Sequence, residues 1–363
     1  MERYIFKEQE LTNEYQYIFL CGSHYTNSDK KDKRNVLRNF LKEKNVFYCP
    51  IILEDNFIFK KNKSRFLQYD DIYMKDLYQV EMVMNYLSDN NIIIHESIST
   101  GAETGLFLSE EHALNKTCLL LPDETSIEEN KLGQFIRLAF LQEPNAVKVI
   151  KFYPRVEKNI VSNDVKNWHT YFWNDTIGKN LGNQIQKFLE TENLGYRIKF
   201  TKNKKKVDEG YIHYKKNETK LEITLLPRIL LNCIAAVLNI NEVSKTIFNA
   251  GKRELKEYIT DIKNYLCKVF IHTIEEKTGE NFERCSIHAK MNVNSVYISG
   301  VIGMSLYLFQ AAGFIDIIKA GDYMDSNRVE ITRKMVTYQD GTKHFFYEKY
   351  SNCIEIAVDT QIV

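Results

Sequence analysis

Five short apolar runs divide the first 155 residues: 16–21 (QYIFLC), 46–50 (VFYCP), 91–95 (NIIIH), 117–121 (TCLLL) and 146–152 (AVKVIKF). Each is nearly all apolar and rich in Ile, Val, Leu, Phe or Tyr, as in strands buried on both faces of a parallel sheet. Helix-like segments lie between them: 31–43 (KDKRNVLRNFLKE), 71–88 (DIYMKDLYQVEMVMNYLS) and 101–115 (GAETGLFLSEEHALN). In the second, Ile72, Leu77, Val80, Met84 and Leu87 recur at helical spacing. Strand and helix alternate, so the predicted class is α/β with a doubly wound parallel sheet.

Beyond residue 150 the pattern changes. A helix over 173–190 closes the first domain, taken as 1–195, and a basic linker over 196–220 follows. Residues 151–220 carry 15 Lys/Arg against 8 Asp/Glu, whereas residues 1–150 carry 18 against 23. The run Lys202-Asn203-Lys204-Lys205-Lys206 reads either as a solvated loop or as a phosphate contact. From 221 to 363 apolar helix candidates come first, including LEITLLPRILLNCIAAVLN. Hairpins follow, marked by turn signals at Gly321-Asp322, Asp325-Ser326-Asn327 and Asp340-Gly341. Helices followed by a hairpin predict a mostly helical, winged-helix-like C-terminal domain.

Composition narrows the classes. A length of 363 residues fits two or three domains, and a net charge of +1 gives no global field toward nucleic acid or membrane. The seven cysteines form no CxxC pair and mostly sit in apolar runs, which reads as buried free thiols in a reducing cytoplasm. The N-terminus has no secretory apolar core. Met291 to Ile315 carries no charge and is long enough to span a bilayer. Its Asn, Ser, Gln and Gly content favours a buried core helix instead, and no membrane association is expected.

In an open parallel sheet, ligands bind beyond the carboxyl ends of the strands. That rule selects Gly22, Ser23 and His24, then Tyr48-Cys49-Pro50, then His95 to Thr100 with the helix opening at Gly101 to Gly105, and Leu121 to Asp123. Gly22 and Ser23 are either a tight turn or a cradle for a phosphate or hydroxyl. Thr100-x-x-Glu103 fits a capping box, in which Glu103 returns to the Thr100 amide. The same Glu103, kept ionised by a helix N-terminus, would suit attack on an anomeric carbon or stabilisation of an oxocarbenium-like transition state. Glu96 and Ser97 are placed to hold ribose hydroxyls, with Thr100 beside them. Glu81, on the preceding helix, either faces the pocket or is exposed. His24, His95 and His112 match no zinc spacing, and no phosphate-binding, dinucleotide or hydrolase motif occurs, so neither metal nor cofactor is expected.

The segments IFLCGS, Arg34 to Phe40, FYCP and Glu81 through Phe107 together resemble the nucleoside 2-deoxyribosyltransferase-like superfamily, a flavodoxin-like fold. The resemblance extends to the N-glycosidase effectors of bacterial retron anti-phage systems. IIIHESISTGAETGLF carries most of it, and Glu81, Asp89, Glu96, Ser97, Glu103, Gly105 and Phe107 fall on its spacing. The resemblance implies a catalytic glutamate at Glu103 and cleavage of an N-glycosidic bond in a nucleoside, nucleotide or NAD-like substrate. It also implies an oligomeric toxin held inactive by a reverse transcriptase and its RNA–DNA hybrid (msDNA). Deoxyribosyltransferases carry an Asp where this chain has Ser97, which argues against exchange of bases between free nucleosides. The competing expectation is a non-catalytic nucleotide sensor with a DNA-binding or oligomerising C-terminal domain, in which Glu103 only caps its helix.

Overall fold

A computed structural model describes residues 2–10, 15–22, 32–56, 69–109, 111–122, 138, 142, 147–152, 172–173, 176–190, 196–202, 210–282, 285–291, 296–319 and 328–357. The chain forms two compact units. One is built from Tyr15–Asn56 and Ser88–Asn193, the other from Met1–Glu14, Phe57–Leu87 and Leu194–Val363.

In the first unit the five apolar runs become the strands β1 (Gln16–Cys21), β2 (Tyr48–Ile51), β3 (Asn90–Ile94), β4 (Thr117–Pro122) and β5 (Lys148–Phe152). All four neighbouring pairs are parallel, and the spatial order is β2-β1-β3-β4-β5. Numbered along the chain this is 2-1-3-4-5, the order found in flavodoxin-like sheets. Side chains alternate across the sheet. On one face Ile18, Leu20, Ile92, Ile94, Leu120 and Ile150 pack with Val36, Leu37 and Leu41 of helix α1 (Lys33–Lys44). Leu181, Ile185 and Phe188 of a second helix (Lys179–Leu189) complete that layer. On the other face Phe19 meets Phe107 at 5.6 Å between ring centroids; Phe107 belongs to the helix Ile98–Leu108. Helices therefore cover both sides. Each fully buried Leu or Ile in these layers stabilises the fold by roughly 1.5–3 kcal/mol relative to exposure.

The two rims differ. At the amino rim the Tyr17 amide donates to the Asp89 carboxylate at 2.8 Å, and Ser88 Oγ donates to Asn91 Oδ1 at 2.6 Å. Asn91 in turn donates to Thr117 Oγ1 at 3.2 Å, and Lys116 Nζ to the Ser88 carbonyl at 3.0 Å. All of these residues are buried, so this rim is a closed polar lattice. Asp89, one of the resemblance positions, is thus a ladder cap at the end away from Glu103.

In the second unit the longest helices are Pro227–Val237, Leu255–Thr278 and Ile298–Ala311. Within the charge-free stretch 291–315, Ile298–Ala311 is the last of these, a 14-residue helix whose Gly303 lies against Ile72 and whose Gly300 lies against Met74; Met291 ends one strand and Ile315 begins another. Among the described residues no helix is long and apolar enough to cross a membrane. All seven cysteines are free thiols, five of them buried.

Several expectations changed. The helix read over 173–190 runs only over Lys179–Leu189, behind the short strands Phe172–Trp173 and Thr176–Ile177. LEITL, read as the start of a helix, is the strand Lys220–Leu225, because Leu221, Ile223 and Leu225 alternate inward; the helix begins at Pro227, where a missing N–H costs nothing. The basic linker expected over 196–220 contains the strands Arg197–Ile198, Phe200–Lys202 and Ile212–Asn217. The helix expected from 71 runs only over Leu77–Leu87 and packs with the second unit. The hairpins are present, Ile315–Lys319 pairing antiparallel with Arg328–Arg333 and Met335–Thr337 with Lys343–Phe345; Asp340-Gly341 forms the second turn, with Gly341 at φ +81°. The turn signals at 321–322 and 325–327 lie outside the described residues. Beside these hairpins stands a mixed four-stranded sheet.

Candidate functional site

At the carboxyl rim of the first unit, the helix Ile98–Leu108 (α2) starts directly after β3, and its cap decides the geometry. The N-cap is Ser97 rather than Thr100. Ser97 Oγ accepts from the Thr100 amide at 3.3 Å, and Thr100 Oγ1 accepts from the Ser97 amide at 3.0 Å, a reciprocal capping box. Thr100 Oγ1 also donates to the Ser97 carbonyl at 2.7 Å, and Thr100 is fully buried. Its hydroxyl is occupied by the cap, so Thr100 shapes the loop where a sugar contact was expected.

The shift of the cap by three residues changes what Glu103 does. The Thr100 amide is engaged by Ser97, so Glu103 is not the acid of a Thr100 box. It sits more than one turn inside α2, half-buried, with its Oε2 sheltered from solvent. Side chains on a helix lean toward its N-terminus, so this carboxylate is directed to the rim. Phe107, one turn further on, anchors that face of α2 on Phe19. At Gly105 an added Cβ would meet nothing within 4 Å.

The other positions distribute as follows. Glu96 forms an ion pair with Lys33, the first residue of α1, and Lys33 Nζ also stands 5.4 Å from the Phe152 ring centroid. Glu96 and Lys33 are 63 positions apart, which is why the pair is invisible in sequence. Gly22 follows β1, and a Cβ there would come within 3.0 Å of Arg34 Cδ. A larger residue there would require the Arg34 side chain to give by a few tenths of an ångström. Arg34 itself is 2% exposed and bonds Glu54 at 2.8 Å. Lys33 and Arg34 thus bring two cations to the rim. The one available sequence signal was their place just behind Asp32, whose side chain caps α1.

His95 ends β3, where its amide donates to the Leu120 carbonyl at 3.0 Å. It is 9% exposed, and burial lowers its imidazole pKa, so the ring is neutral at physiological pH. Glu81 lies half-buried on Leu77–Leu87, a helix of the second unit, whereas Glu103 belongs to the first. Ser23, His24 and Asp123 fall outside the described residues, as does the side chain of His112. Among the described residues no group of His, Cys, Asp and Glu has a metal-holding arrangement. The rim therefore unites Ser97, Thr100, Glu96 and Glu103 on one strand–helix junction, with Lys33 joined to it through Glu96.

A family model described as STM3845 retron effector protein matches residues 30–316. Comparison with curated proteins gave no match.

Proposed function

From the premise that this chain belongs to the STM3845 retron effector family, we propose that it is an anti-phage effector whose α/β unit cleaves an N-glycosidic bond. The substrate is a nucleoside, a nucleotide or NAD. Glu103 faces C1′ and either bonds to it or stabilises its oxocarbenium character. The base leaves with the electrons of the C–N bond, and water then completes hydrolysis at C1′. Glu96 accepts from ribose hydroxyls, Ser97 lies beside it, and Lys33 offers a cation to a phosphate. The cytoplasm is the setting. A reverse transcriptase with its RNA–DNA hybrid restrains the toxin until infection, and the second unit is the regulatory half that receives it.

One observation carries the reading: the helix cap is made by Ser97 and Thr100, so the Thr100 amide is served without the carboxylate of Glu103. The alternative of a sensing module fitted Glu103 as the capping acid, a role that the Ser97–Thr100 cap leaves unused. The test is incubation of purified protein with nucleosides, deoxynucleoside monophosphates and NAD, reading free base or nicotinamide. Glu103→Gln should lower release by at least about 100-fold while the fold is retained. Release at the wild-type rate in that variant would end the proposal.

A further inference from the structure

The four-stranded sheet of the second unit presents a basic face. Its strands are β6 (Phe200–Lys202), β7 (Ile212–Asn217), β8 (Lys220–Leu225) and β9 (Ser286–Met291), in that spatial order. One side is core: Phe200, Ile212, Leu221, Ile223 and Leu225 are buried there. The register fixes what the opposite side carries. Lys215 faces Glu222 across β7–β8, and Asn217 faces Lys220; across β8–β9, Lys220 stands beside Ser286, Glu222 beside His288 and Thr224 beside Lys290. Lys215, Lys220, His288 and Lys290 are exposed. The extended segment leading into β6 adds exposed Arg197 and Lys199, both within 6 Å of the Tyr211 ring centroid (5.9 and 5.6 Å).

Three permanent cations therefore share the face that the register fixes, Lys215, Lys220 and Lys290, and Arg197 and Lys199 lie in the segment that runs into β6. Within the four strands Glu222 is the one carboxylate among the described positions of that face, and Lys290 bonds it at 3.2 Å; Arg197, before β6, stands across from Glu10 in register. Among the described residues Lys215 and Lys220 pair with no carboxylate. Three strands about 4.8 Å apart, with Lys220 and Lys290 four residues apart in register, spread these lysines over roughly 10 by 13 Å, enough to meet successive phosphates of a nucleic-acid backbone. A whole-chain charge of +1 hides this asymmetry.

We propose that this sheet face is a docking surface for the phosphate backbone of a nucleic acid. Its contacts are charge contacts that position the duplex without reading bases. The inference rests on strand register and charge alone and does not require the glycosidase reading. Base release and nucleic-acid binding are scored separately, so each can fail without the other.

The test measures binding of the full chain to a fluorescein-labelled RNA–DNA hybrid, with duplex DNA of the same sequence as a second probe, over a salt series. Each neutralised phosphate contributes about −0.9 to the slope of log K against log [salt] for duplex DNA. The triple variant Lys215→Gln, Lys220→Gln, Lys290→Gln should therefore have a slope shallower by about 2.7. Raising salt from about 50 to about 200 mM would then cost the variant about 40-fold less affinity than it costs wild type. The Lys→Arg triple keeps the charges and should keep the wild-type slope, which separates lost charge from damaged fold. An unchanged slope in the Gln variant overturns the proposal, as does absence of wild-type binding at the lowest salt. Loss of a protein partner in the Gln variant, with nucleic-acid binding intact, would assign the face to protein and equally overturn it.

Discussion

Replacing Thr100 with Val tests the cap on which the placement of Glu103 depends. The hydroxyl of Thr100 accepts the Ser97 amide at 3.0 Å and donates to the Ser97 carbonyl at 2.7 Å. The side chain is fully buried, so water does not replace what is lost. Val keeps the shape and removes only the polar atom. One net hydrogen bond is worth about 1 kcal/mol, and an amide left buried and unpaired costs about 1–3 kcal/mol. A local cost of about 1–3 kcal/mol follows. The chain has two compact units, so a single unfolding free energy is not the right observable. Native-state hydrogen exchange at the Ser97 amide reads the local opening directly. At about 1.4 kcal/mol per tenfold, exchange there should accelerate by about 5- to 150-fold in Thr100→Val. Thr100→Ser, which retains the hydroxyl, should keep most of the protection. Base release should fall in the Val variant more than in the Ser variant, since Thr100 acts by positioning α2. Exchange at Ser97 indistinguishable from wild type in Thr100→Val would show that the cap is not formed as described, and the argument that Glu103 is not the capping acid would go with it.

Two further outcomes follow from packing and titration. Gly303→Ala, which would gain about 1 kcal/mol from helix propensity at an open site, should instead destabilise the second unit by about 1–3 kcal/mol. The new Cβ would lie 2.9 Å from Ile72 Cα and 2.7 Å from its Cβ, and backbone gives way less readily than a side-chain tip; calorimetry showing a higher transition temperature would refute this. His95 is held neutral by burial, so the unfolded chain takes up its proton first as pH falls. Its contribution is present above the unfolded pKa of about 6.5 and is lost as pH drops through the lower folded value. Stability of the first unit should thus decline below about pH 6.5 more steeply in wild type than in His95→Gln, and parallel pH profiles of native-state hydrogen exchange in its sheet would contradict the assignment.

The sequence by itself determined the parallel sheet. A strand buried on both faces must be apolar without interruption, so all five runs were legible within two residues of their ends. It also pointed to a core helix within 291–315, found over Ile298–Ala311, where Gly300 and Gly303 let the helix and the segment at Ile72–Met74 meet closely. Tertiary structure decided what local pattern left degenerate. Both Ser97-x-x-Thr100 and Thr100-x-x-Glu103 satisfy a cap pattern; the choice went to Ser97 because the ladder of β3 continues only through the His95 amide, which leaves the chain free to turn at Ser97. Arg197–Ile198 is a strand because it pairs with Gln9–Glu10, a partner that no local window contains. The Glu96–Lys33 pair and the basic sheet face exist for the same reason: charges far apart in the chain become neighbours only when register and rim geometry bring them together, and a one-dimensional charge count averages them away.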